Sequence, residues 1–126
     1  MARATTWMEV LRRYQATLGG SAYLNGYRRN DLDVLIAVPG PEIRAVEGTL
    51  EAFGFQRNQV DPATCDVNVV SSYRFGIWDV QIMTPAAWAA KRNALRKIKR
   101  LGLHVGKSKS ELYRLYEQMY RAKEAQ

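Results

Sequence analysis

Three aspartates are placed where they could do phosphoryl chemistry. Asp31 and Asp33 stand in Asn30-Asp31-Leu32-Asp33-Val34-Leu35-Ile36, and Asp79 stands in Ile77-Trp78-Asp79-Val80-Gln81-Ile82. Residues two apart on a β-strand share a face, so Asp31 and Asp33 are expected to project side by side. A buried pair of carboxylates repels itself unless cations sit between them. If Asp79 meets the pair from a neighbouring strand, the three form an oxygen cage suited to hard divalent ions, which complete their shell with substrate phosphates. Asp66, which also precedes an apolar stretch, is the alternative third acid. The simple alternative for Asp79 is a structural partner for a buried arginine.

Upstream lies Gly20-Ser21, separated from Asp31 by nine residues. Glycine lets backbone amides approach a phosphate closely, and serine adds a hydroxyl donor. Gly-Ser, nine residues, Asp-Leu-Asp and then an apolar-Asp-apolar strand together resemble the nucleotidyltransferase superfamily, most closely the palm of family X, or β-type, DNA polymerases. The resemblance covers residues 5–84 and, more loosely, the helix that follows. It implies an α+β domain with a nucleotidyltransferase-type mixed sheet flanked by helices. It also implies that Gly20 and Ser21 grip the triphosphate, that Asp31 and Asp33 hold a nucleotide metal, and that all three aspartates hold a catalytic one. The implied cofactor is two ions of Mg2+ or Mn2+, and the implied reaction moves a nucleoside monophosphate from an NTP to a hydroxyl, releasing pyrophosphate. Two departures stand out. Leu24 occupies the position three beyond the serine where family X members carry an arginine, so the phosphate cation must come from Arg28, Arg29 or a C-terminal lysine. The chain of 126 residues also has no room for separate lyase and finger domains.

Asp79-Val80-Gln81-Ile82 is in addition similar to the acidic-x-Gln strand of alarmone synthetases, which transfer pyrophosphate and lack a Gly-Ser turn. A third alternative is a catalytically silent module that uses the same fold to hold nucleic acid or a protein.

The formal net charge is +7. Residues 1–84 carry 8 Lys/Arg against 9 Asp/Glu, a balance of −1, and residues 85–126 carry 11 against 3, a balance of +8. The excess is wholly C-terminal, which points to a polyanionic partner such as nucleic acid. Lys91, Arg92, Arg96, Lys97, Lys99 and Arg100 form its densest run, continued by Lys107 and Lys109. One cysteine, Cys65, and one histidine, His104, exclude a disulfide or a Cys/His zinc site within one chain. No apolar run is long enough to span a bilayer or to act as a signal peptide, so no membrane partner and a cytoplasmic location are expected.

The elements that must position these residues follow from periodicity and punctuation. Thr5 or Thr6 caps a helix with Trp7, Val10, Leu11 and Tyr14 on one face. A short strand is expected at 15–18, then a break at Gly19-Gly20-Ser21 and a turn or helical connection at 22–29. Residues 31–38 read as a central strand buried on both faces. Pro39-Gly40-Pro41 ends it, with Pro41 opening a helix at 41–53 whose stripe is Ile43, Val46, Leu50 and Phe53, closed by Gly54. Residues 55–60 suggest a strand, 61–64 a loop, and 67–73 and 77–83 two strands joined through Arg74, Phe75 and Gly76. Thr84-Pro85 opens a helix to Leu101, stopped by Gly102, with Trp88, Leu95, Ile98 and Leu101 inward. Ser108-Lys109-Ser110-Glu111 has capping-box spacing for a last helix buried through Leu112, Leu115, Tyr116, Met119 and Tyr120. The whole is expected to be one domain, a palm-like core over about 1–84 with a basic two-helix extension over about 85–126.

Overall fold

The computed structural model describes residues 6–19, 32–59, 69–108, and 111, 112, 114, 115 and 118. The expectations for Gly20, Ser21, residues 22–29 including Arg28 and Arg29, Asp31, the 61–64 loop, Cys65, Asp66, Lys109, Tyr116, Met119 and Tyr120 lie outside the described residues.

The described chain is α+β, a five-stranded mixed sheet in the order β1-β2-β5-β4-β3 with helices on both faces. Helix α1 is Trp7–Arg13, strand β1 Thr17–Leu18, β2 Leu32–Ala37, helix α2 Ile43–Ala52, β3 Gln56–Arg57, β4 Ser71–Phe75, β5 Trp78–Met83 and helix α3 Pro85–Leu101. β2 and β5 run parallel at the centre, and the other pairings are antiparallel.

Alternation along β2 and β5 sends side chains to two different cores. Val34, Ile36, Val80 and Ile82 join Val10, Leu11, Val46 and Leu50 beneath α1 and α2, whereas Leu35, Ala37 and Met83 join Trp88, Leu95 and Ile98 of α3. Burial on both faces explains why β2 is almost continuously apolar. Each fully buried Leu or Ile contributes on the order of 1.5–3 kcal/mol, so these two layers dominate the stability. An aromatic seam ties α1 to the sheet: Trp7 packs edge-on against Phe55 at 5.5 Å and Trp78 at 4.9 Å, and Phe55 lies 5.3 Å from Phe75.

The caps match their sequence signals. Thr6 Oγ1 accepts from Glu9 N at 3.3 Å, and Thr84 Oγ1 from Ala87 N at 3.4 Å. Gly54 and Gly102 follow α2 and α3 with φ of 98° and 66°, the left-handed region that glycine tolerates without strain. Ser108 N donates to Glu111 Oε1 at 3.0 Å while Glu111 N donates to Ser108 Oγ at 3.3 Å, closing the predicted capping box. Leu112 and Leu115 pack on the α3-side core.

Several boundaries differ from the sequence reading. Pro41 opens no α-helix, because Gly40–Glu42 forms a tight 3-10 turn in which Glu42 N bonds Pro39 O at 2.9 Å, and α2 starts at Ile43. Arg74 and Phe75 belong to β4, leaving Gly76 and Ile77 as the turn, because Arg74 pairs with Asp79 and Phe75 with Trp78 in the ladder. Among the described residues, the strands expected at 15–18 and 55–60 shrink to two residues each at the two sheet edges. Leu101 is 53% exposed, since α3 outruns its packing by one turn, and the inward stripe holds Lys91 and Ala94 instead.

Candidate functional site

Because Trp78, Val80 and Ile82 are drawn to the α1 and α2 core, Asp79 and Gln81 must face the α3 side. On β2 the same alternation turns Asp33 to that side with Leu35 and Ala37. The two strands pair with Asp33 directly beside Asp79, so two carboxylates from distant parts of the sequence share one face at the spacing of neighbouring strands, about 4.8 Å. The row continues outward through Arg74 on β4 to Gln56 on β3. One line across four strands thus reads Asp33, Asp79, Arg74, Gln56.

Asp79 is held by partners from the β4 and β3 side of β5. Its Oδ1 accepts from Asn58 Nδ2 at 3.3 Å, and its Oδ2 lies 3.6 Å from Arg74 Nη2. Asn58 is itself fixed, since Nδ2 also donates to Ser72 Oγ at 3.1 Å and its backbone N–H to Ser72 O at 2.9 Å. The arginine alternative considered for Asp79 is therefore present in part, but Arg74 is 43% exposed at its side chain against 15% for Asp79, so the pair sits at the surface rather than in the interior. Further along the same face Gln81 Oε1 accepts from Lys91 Nζ at 3.3 Å, and Lys91 is only 2% exposed. Lys91 thus meets this face two residues along β5 from Asp79.

Gly19 links β1 to this row. Its N–H donates to the Asp33 carbonyl at 3.0 Å, and a Cβ at this position would stand 2.6 Å from Leu35 Cγ. Glycine is required there because the backbone lies against the β2 side chain. The chain therefore leaves β1 beside Asp33 just as it enters Gly20-Ser21.

Asp33 and Asp79 fit a hard divalent cation: both are carboxylates, both face one side, and both are partly open to solvent. Asp31, the third member of the expected set, lies outside the described residues, and among the described residues no group of three or more Asp, Glu, His or Cys is gathered at one place.

The cationic run of α3 divides. Lys91 turns inward to Gln81. Arg92 is half-buried with its guanidinium 5.3 Å above the Trp88 ring, which makes Trp88, 7% exposed, an anchor of the helix rather than an open platform for bases. Arg96, Lys97, Lys99 and Arg100 are exposed, as is Lys107 beyond the helix. Among the described residues no helix is long and apolar enough to cross a membrane.

Sequence reasoning missed Gly19, Asn58, Arg74 and the inward role of Lys91. Arg74 and Asn58 carry no motif, and only strand register brings them to Asp79. Lys91 did leave a signal, since it lies at helical spacing between Trp88 and Leu95. No protein-family model, curated protein or solved structure matches this chain.

Proposed function

We propose that the protein is a metal-dependent nucleotidyltransferase that transfers a nucleoside monophosphate from an NTP to a hydroxyl acceptor on nucleic acid, built on a nucleotidyltransferase-type sheet. The observation that carries this reading is the direct pairing of Asp33 with Asp79 on adjacent parallel strands, both aimed to the α3 side. Asp33 and Asp79, with Asp31 two residues upstream, would hold Mg2+ or Mn2+. Bound there, such ions neutralise triphosphate charge and lower the pKa of the attacking hydroxyl. Asn58 fixes the rotamer of Asp79 through its hydrogen bond, so that the carboxylate keeps one oxygen oriented. Gly19 is bonded to the Asp33 carbonyl and is followed in sequence by Gly20 and Ser21, whose residue types, backbone amides and a hydroxyl, would suit phosphate. The basic outer surface of α3 supplies a docking ridge for the acceptor's phosphates.

The test is incubation with labelled NTPs, Mg2+ or Mn2+ and a panel of DNA and RNA acceptors. Asp33→Asn and Asp79→Asn are each expected to lower the rate at least about a hundredfold, as loss of a main electrostatic element of a site does. Product that persists in an Asp31→Ala, Asp33→Ala double variant overturns the mechanism.

The same exposed residues, Arg96, Lys97, Lys99 and Arg100, also favour a second reading, a non-catalytic nucleic-acid-binding module. Thermal stabilisation separates the two: the enzyme is stabilised by NTP only with a divalent ion present, the module by nucleic acid alone without metal.

A further inference from the structure

Two carboxylates on one partly open face repel each other, and a nearby cation offsets that repulsion. Arg74 is such a cation, because it is the ladder partner of Asp79 on the side opposite Asp33. The pairing is a loose one: 3.6 Å between Nη2 and Oδ2, with 43% of the arginine side chain exposed. Lys91 and Arg74 therefore differ in exposure. Lys91 is enclosed and tied to Gln81, whereas the Arg74 guanidinium reaches the row from its solvent side.

We propose that Arg74 is an exchangeable countercation, paired with Asp79 while the carboxylates hold no metal and turned to the phosphates of the nucleotide once Asp79 accepts a divalent ion. This rests on the metal-dependent reading above and adds a residue to it. A divalent ion at the Asp33 and Asp79 carboxylates competes directly with the guanidinium for Oδ2. Released from that oxygen, Arg74 stays on β4, one strand from Asp79, within a side-chain length of any phosphate that shares the ion. Its planar fork matches phosphate oxygens in pairs, which an ammonium cannot do.

The experiment measures Mn2+ binding to the full chain by electron paramagnetic resonance, and then binding of a nonhydrolysable NTP in saturating Mn2+, for the unsubstituted protein, Arg74→Gln, Arg74→Lys and Asp33→Asn. Arg74→Gln is expected to bind Mn2+ alone about two- to fivefold more tightly, the range set by removing a solvent-exposed ion pair. The same variant is expected to bind the NTP more weakly. Arg74→Lys, which keeps the charge, is expected to leave Mn2+ affinity near that of the unsubstituted protein while still weakening the NTP, and it carries the test should the glutamine variant not fold. Unchanged or weaker Mn2+ binding in Arg74→Gln, or undiminished NTP affinity in both variants, overturns the proposal while leaving the metal site standing. Absence of any Asp33-dependent Mn2+ binding in the unsubstituted protein overturns both.

Discussion

Gly19 shows how one residue can fix the backbone beside a candidate site. With Leu35 fully buried beneath it, a methyl at position 19 has nowhere to go. Gly19→Ala is expected to cost about 1–3 kcal/mol, the range for overpacking a tight fit, read as a lower midpoint in chemical denaturation. If the glycine were merely a convenient turn, the substitution would be neutral. Asp79 teaches a related lesson about charge. Its carboxylate is engaged by the neutral donor Asn58 and by the cation Arg74, so its availability to a metal depends on its partners as well as on burial. Asp33 and Asp79 were legible as candidates because an acid inside an apolar run is costly and needs a reason. Asn58 and Arg74 were not, because a polar residue near a strand end is ordinary until the register is known.

At the scale of elements, punctuation in the sequence was reliable where it rested on local hydrogen bonds. The Thr84-Pro85 start and Gly102 stop of α3 are satisfied within a few residues of chain, and so is the Ser108 and Glu111 box. Hydrogen bonds from Ser108 hold the Glu111 carboxyl below its ordinary value. A lowered folded-state value means that the cap's contribution is complete above the unfolded carboxylate range and is lost as pH falls through the depressed value. Circular dichroism of the full chain should therefore show the last helix fraying at acid pH, and Ser108→Ala should reduce that pH dependence. An acid profile identical in Ser108→Ala would show that the box has no energetic role. Edge strands were less legible: β1 and β3 are two residues long, and their extent is set by what lies beside them rather than by propensity. Arg74 and Phe75 looked like turn residues for the same reason, since it is pairing with Asp79 and Trp78 that makes them strand.

For the molecule as a whole, charge and fold are arranged on different sides of one helix. The inner side of α3 packs Trp88, Leu95 and Ile98 against the sheet and holds Lys91, while Arg96, Lys97, Lys99 and Arg100 are exposed. Binding to single- or double-stranded nucleic acid is accordingly expected to weaken steeply with salt. Replacing Arg96, Lys97 and Arg100 together by Gln should flatten the dependence of log affinity on log salt by about 0.7–0.9 for each phosphate left without its cation. A slope unchanged by the triple substitution would place the polyanion elsewhere. What the sequence determined by itself was the set of local statements: an α+β alternation of elements, the ends of α3, a central strand buried on both faces, and a C-terminal excess of positive charge. These depend on neighbours within a few residues, and hydrophobic periodicity and capping report such neighbours directly. What only the tertiary structure decided was which distant groups meet. Asp33 stands beside Asp79, Arg74 opposes it, Lys91 turns inward to Gln81 and Gly19 lies against Leu35. The first two are matters of strand order and register, and a shift of one residue would send those side chains to the other face, whereas the last two depend on how α3 and β1 pack against the sheet.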